Sequence, residues 1–114
     1  MIKLVMLALF GLQCQALLTW DDLVPAVIRK LERQWRPEGG EVILLNHSCS
    51  LTTNTTQHSY HRGTLSCPEW TNITGKALSR TVFGVVDDVT RDFFRKAVLE
   101  GLVNEADTDR WVSE

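Results

Sequence analysis

The chain has little of most things that announce a chemistry: of its 114 residues three are cysteine, three histidine, three proline and one tyrosine. No apolar run approaches the roughly 20 residues that a membrane-spanning helix requires, since the longest, Leu4 to Leu12, stops far short. No Gly-rich phosphate loop appears, and His47, His58 and His61 have no nucleophile at a spacing that makes a hydrolytic set. Cations are scarce as well, 12 Lys and Arg against 14 Asp and Glu, a net charge of −2. Phosphate-backbone binding needs a basic stripe, so nucleic acid is excluded as a partner. The residues describe a binding protein, not an enzyme, and call for no cofactor.

What is present begins at the N-terminus. Lys3 precedes the apolar run, and Cys14-Gln15-Ala16 places small residues at the −3 and −1 positions of a cleavage site. Residues 1–16 therefore read as a secretory signal peptide, and the protein as extracellular. Removing sixteen of 114 residues leaves 98, residues 17–114, enough for one domain and too few for two. Loss of Lys3 leaves 11 basic against 14 acidic residues, a net of −3. The charge is uneven: Arg62, Lys76 and Arg80 face only Glu69 between Asn46 and Thr81, whereas Val82 to Glu114 is acidic.

Cleavage also removes Cys14, leaving Cys49 and Cys67 as a pair in an oxidising compartment, where a disulfide is the default. Closing that loop contributes about 3 kcal/mol on chain-entropy grounds.

Trp20, Leu23, Val24, Val27, Ile28, Leu31 and Trp35 recur at three- and four-residue steps, which predicts an amphipathic helix capped by Thr19 or Asp21 and stopped by Arg36-Pro37-Glu38-Gly39-Gly40. Pro25 is placed in or near its first turn. Glu41–Leu45 and Ser48–Thr53 read as strands joined near Asn46-His47, with Asn54-Thr55-Thr56-Gln57 as a polar tip and His58–Cys67 as the returning arm. A fourth strand is expected from Trp70 to Arg80 with a bulge at Gly75. Helical spacing resumes at Val89, Phe93 and Ala97, with Asp87 or Asp88 as cap and Gly101 as stop. A last helix starts at an Asn104 cap with Asp107 at its third position. The expectation is an α+β fold, a four-stranded antiparallel sheet packed against three helices in the order helix-β-β-β-β-helix-helix.

An ordered set of short motifs runs through that plan: Trp20-x-x-Leu23-Val24-Pro25, Gly40-Glu41-Val42, Cys49, Arg62-Gly63, Cys67-Pro68-x-Trp70-Thr71, Gly84-Val85-Val86 and Asp92-Phe93-x-Arg95-Lys96-Ala97. Together they resemble the arthropod anti-lipopolysaccharide factors over nearly all of residues 17–114. The resemblance implies an innate-immunity protein with antibacterial activity, whose disulfide-bounded hairpin binds lipopolysaccharide through lipid A and touches the bacterial envelope or a membrane surface. On this sequence the hairpin ligands would be His58, Tyr60, His61, Arg62 and Thr64. A hairpin that alternates side-chain direction can present cations and apolar groups to the phosphates and acyl chains of such a lipid. The departure is that Arg62 is the one Lys or Arg between the cysteines, where the family places several.

Other readings attach to the same residues. His58 and His61, three apart, point to opposite faces of a regular strand, which does not make a shared metal site; titratable hairpin charge suits them, and His47 beside them, better. Trp20, Trp35, Phe93 and Phe94 fit core packing, and Arg91, Arg95 and Lys96 a solvated face paired with Asp88, Asp92 and Glu100. Asn46, Asn54 and Asn72 each head an N-glycosylation sequon. Two other classes are a relative that has lost lipid binding and recognises a microbial glycan or host protein, and a cystatin-like protease inhibitor. The second lacks the Gln-x-Val-x-Gly wedge.

Overall fold

The computed structural model describes residues 19–36, 40–56 and 58–114; the expected leader, Cys14, the Pro37-Glu38-Gly39 stop and Gln57 of the tip lie outside them. Helix α1 runs Trp20–Gln34 from an N-cap at Thr19, whose amide donates to the Asp22 carboxylate at 3.5 Å. It buries Leu23, Val24, Val27, Ile28 and Leu31, the stripe set by its spacing. Trp35 then caps the C-terminus, and its indole N–H donates to the Leu51 carbonyl at 2.8 Å, tying the helix end to the sheet.

Four strands follow, β1 Glu41–Leu44, β2 His47–Thr55, β3 His61–Ser66 and β4 Thr74–Ser79, antiparallel and in sequence order across one sheet. Leu45 and Asn46 join β1 to β2 with φ of 51° and 67°, the paired left-handed conformation of a tight hairpin turn. Helix α2, Val82–Leu99, packs across β3 and β4, and α3, Glu105–Ser113, closes against α1. The Asn104 side chain accepts the Asp107 amide at 2.8 Å and so caps α3, and Gly101 follows α2 at φ 70°, both as expected. Between the layers Val27, Leu31, Leu44, Leu51, Leu65, Val86, Val89 and Phe93 are fully excluded from solvent. The architecture is the anticipated α+β arrangement.

Six local expectations are corrected. Helix α2 starts at Val82, not at Asp87 or Asp88: the Thr81 hydroxyl accepts the Gly84 amide at 2.9 Å, and Asp87 instead pairs with Arg91 inside the helix. Asn54 and Thr55 continue β2, opposite Arg62 and His61, so the tip moves to residues 56–60. The returning strand begins at His61 and not at His58. The fourth strand begins at Thr74, and Gly75 does not bulge; it faces Leu65 in regular register. A Cβ at Gly75 would lie 2.5 Å from the Val89 carbonyl oxygen and 2.9 Å from the Phe93 Cβ, so glycine serves the close approach of α2. Pro25 sits in the second turn of α1, where no amide serves the Asp21 carbonyl, and the helix continues through it.

Candidate functional site

Cys49 and Cys67 form the expected disulfide, with Cα atoms 4.2 Å apart and both residues buried. The bridge spans the roots of the β2–β3 hairpin, and from it the register runs outward to Asn54 opposite Arg62 and Thr55 opposite His61. Alternation then sorts the side chains. Gly63 and Leu65 of β3 are buried under α2, so Arg62, Thr64 and Ser66 stand on the open face.

On that face, two cross-strand rows approach the hairpin end. One is Thr52, Thr64 and Lys76; the next is Asn54, Arg62 and Leu78. Arg62 and Lys76 are therefore diagonal neighbours, within reach of one anionic group. Leu78 beside them is 53% exposed, and Phe83, in the first turn of α2 at the same end of the sheet, is 63% exposed. Arg80 stands at this end too, its guanidinium carbon 5.6 Å from the centre of the Tyr60 ring. Among the described residues no carboxylate forms an ion pair with Arg62, Lys76 or Arg80.

The five expected ligands divide. Arg62 and Thr64 share the open face. His58 lies in the turn, exposed, and lines a shallow depression of about 410 Å³ with Asn54, Thr55, Thr56 and Arg62. Tyr60 also belongs to the turn, its amide donating to the Thr56 hydroxyl at 3.2 Å. His61 is on the helix-facing side of β3, half-buried, and turned from Arg62. His47 is not beside the tip at all: it pairs with Leu44 at the opposite end of β2 and stacks on Trp70, rings 4.1 Å apart and 9° from parallel. Lys76, Leu78, Phe83 and Arg80 were missing from the expected set, although the positive bias of the middle segment contained two of them.

Asp92 of α2 fixes where Lys76 stands. Its carboxylate accepts the Lys76 amide at 2.9 Å, Lys96 Nζ at 2.8 Å and Arg95 Nη2 at 2.5 Å. Burial pushes this carboxyl up, but the hydrogen bonds from Lys96, Lys76 and Arg95 and the charge of Lys96 outweigh it, and the pKa falls to about 2. Edge strand β4 is thereby held to α2 through an amide that no neighbouring strand takes.

Other expectations about side chains also resolve. Trp35, Phe93 and Phe94 are core residues, whereas Trp20 is only half-buried. Arg91 pairs with Asp87, and Arg95 and Lys96 with Asp92, so Asp88 and Glu100 are not the partners. Among the described residues no three of His, Cys, Asp or Glu gather as a metal site, and no helix is long and apolar enough to cross a membrane.

Among the described residues, three helices on a four-stranded antiparallel sheet, with a disulfide-rooted hairpin and an amphiphilic end, define the class of α+β protein to which the chain corresponds. The chain belongs to the family described as anti-lipopolysaccharide factor/scygonadin, whose sequence profile it matches over residues 14–113. It is 31% identical over 98 residues to an anti-lipopolysaccharide factor of Tachypleus tridentatus, covering 83% of this chain and 94% of that one. With one from Scylla serrata it shares 27% over 115 residues, 97% and 90% of the two chains. The solution structure of an antilipopolysaccharide factor from shrimp, described with its possible lipid A binding site, superposes with a TM-score of 0.73 at 33% identity, covering 83% of this chain and 94% of that one.

Proposed function

We propose that this protein is a secreted, non-catalytic host-defence factor that binds lipopolysaccharide through its lipid A moiety and acts against bacteria. The observation that carries this reading is the register that sets Arg62, Thr64 and Lys76 together on the open sheet face beside exposed Leu78. Two cations within reach of one phosphate, next to apolar side chains, match a ligand that carries phosphates beside acyl chains. His58 and Tyr60 supply the rim at the turn, Arg80 adds charge beside Tyr60, and His61, on the helix-facing side of β3, takes no part. Family membership and the shrimp structure's lipid A description support the same ligand class.

Residues 1–16 are the cleaved leader in this proposal, residues 17–114 the mature domain, and Asn46, Asn54 and Asn72 the acceptors for glycan. A second reading, recognition of a microbial glycan or a host protein, is favoured by Asn54, a glycan acceptor that shares the open face with Arg62. Calorimetric titration of the disulfide-bonded protein with purified lipid A and with delipidated core oligosaccharide tests the choice. Saturable binding to lipid A alone supports the first reading. Binding to the oligosaccharide alone, or to neither, refutes it.

A further inference from the structure

On the helical layer, away from the hairpin, α1 and the C-terminal half of α2 leave a groove of about 520 Å³ between them. Its walls are Trp20, Val24, Phe94, Val98 and Leu99, and the lining is overwhelmingly apolar. Trp20 and Phe94 meet at 5.7 Å between ring centres, which closes one wall, whereas Leu99 stands 77% exposed at the other. A large aliphatic side chain that exposed beside a half-covered tryptophan leaves apolar surface in water, and the fold itself gives no reason for it.

The polar groups at the lip are few and placed unevenly. Arg91 and Arg95, one turn apart on α2, stand on one side and Asp21 of α1 on the other. Arg91 gives only its Nε to Asp87, at 2.5 Å, leaving both terminal nitrogens unused by that pair. Arg95 gives one Nη2 to Asp92, a carboxylate already shared with Lys96 and the Lys76 amide, so its positive charge is not neutralised. Each aspartate engages one nitrogen of its guanidinium group and leaves the others available.

We propose that this groove is a second ligand site that takes one fatty-acid anion, its chain between Trp20, Phe94 and Leu99 and its carboxylate on Arg91 and Arg95. The volume lies within the roughly 300–1,000 Å³ typical of small-ligand sites, and an apolar trough with charge at one lip is what a single-chain amphiphile requires. Asp21 repels the carboxylate from the α1 side and so sets the orientation of the chain. The site is independent of the hairpin: none of its lining residues belongs to β2, β3 or β4.

Sodium myristate below its micelle concentration is the probe, titrated into the full disulfide-bonded protein by calorimetry and by tryptophan emission. The expected result is one saturable site, with an emission change that Trp20→Phe abolishes. Leu99→Asp, at an exposed position that leaves the core intact, weakens binding by roughly tenfold or more. The double variant Arg91→Gln, Arg95→Gln weakens myristate but not myristyl alcohol, which a purely structural role of the arginines does not predict. Arg62→Ala with Lys76→Ala leaves myristate affinity unchanged, so failure here and failure of the hairpin reading are separable. Absence of saturable heat overturns the proposal, as does binding insensitive to Leu99→Asp. It is equally overturned if myristate binds only after removal of the residues before Thr19, or if Leu99→Asp merely dissolves a dimer.

Discussion

Arg62 stands directly opposite Asn54 in the β2–β3 register, so a cation of the proposed lipid site and the acceptor of an N-glycosylation sequon occupy the same row of the same sheet face. A glycan on Asn54 projects over that row and competes with any ligand for it. Protein secreted from a eukaryotic host and glycosylated at Asn54 is expected to bind lipopolysaccharide more weakly than its enzymatically deglycosylated form or than Asn54→Gln. Equal affinities for all three, with occupancy at Asn54 verified by mass spectrometry, would place the ligand elsewhere.

Removing the bridge tests how far the hairpin depends on it. Cys49→Ala with Cys67→Ala is expected to cost about 2–5 kcal/mol, with hydrogen exchange rising first at the amides of Thr52 to Gly63. Helices α1 and α2 are joined by buried side chains outside the loop and should retain their protection to higher denaturant. Uniform loss of protection in all elements contradicts this order.

Gly75→Ala places a methyl group against the Val89 carbonyl oxygen, a backbone atom that cannot turn aside. The expected destabilisation is about 1–3 kcal/mol, read as a lower denaturation midpoint. Lipid binding should weaken with it, because pushing α2 from β4 shifts Lys76. An unchanged midpoint shows that α2 yields without cost.

Asp92 gives an acid limb with a defined sign. Its folded pKa of about 2 lies below the ordinary aspartate value of 3.8, so the stability it contributes is fully present above pH 4 and is lost as pH falls through 2. The amount is about 1–2 kcal/mol, since the carboxylate is largely but not wholly shielded from solvent. Asp92→Asn is expected to lower stability at pH 7 by that order and to flatten the decline between pH 4 and 2. An acid limb as steep in the variant as in the parent assigns the effect to other carboxylates.

The sequence made the helix faces legible because apolar residues at three- and four-residue spacing must share a side. This held for Leu23 to Leu31 and for Val89, Phe93 and Ala97. The start of α2 was hidden, since Val82-Phe83-Gly84 mimics the end of a strand and Asp87-Asp88 mimics a cap; the working cap is the less conspicuous Thr81. The hairpin tip was misplaced for a related reason. Asn54 and Thr55 are polar because their strand has an open face and a fraying end, not because the chain turns there. Yet one signal was available: stepping five residues outward from each of Cys49 and Cys67 arrives at Asn54 and Arg62, the observed pair. No such marker fixes β3 against β4, and Lys76 therefore joined the site only when that register was seen.

In the proposed complex Arg62 and Lys76 act together on one anionic group of the lipid. The most direct measurement is the affinity of the disulfide-bonded protein for purified lipopolysaccharide, compared among Arg62→Ala, Lys76→Ala, the double variant and a control, Arg29→Ala with Arg33→Ala, that removes two exposed cations from α1. Two charge-assisted contacts of about 1.5 kcal/mol each predict a loss of roughly a hundredfold in the double variant; because both cations hold one anion, each single variant loses more than the roughly tenfold of an independent contact, and the control stays near the parent. A double variant that binds as tightly as the parent, or a control that loses as much as the double variant, contradicts the account.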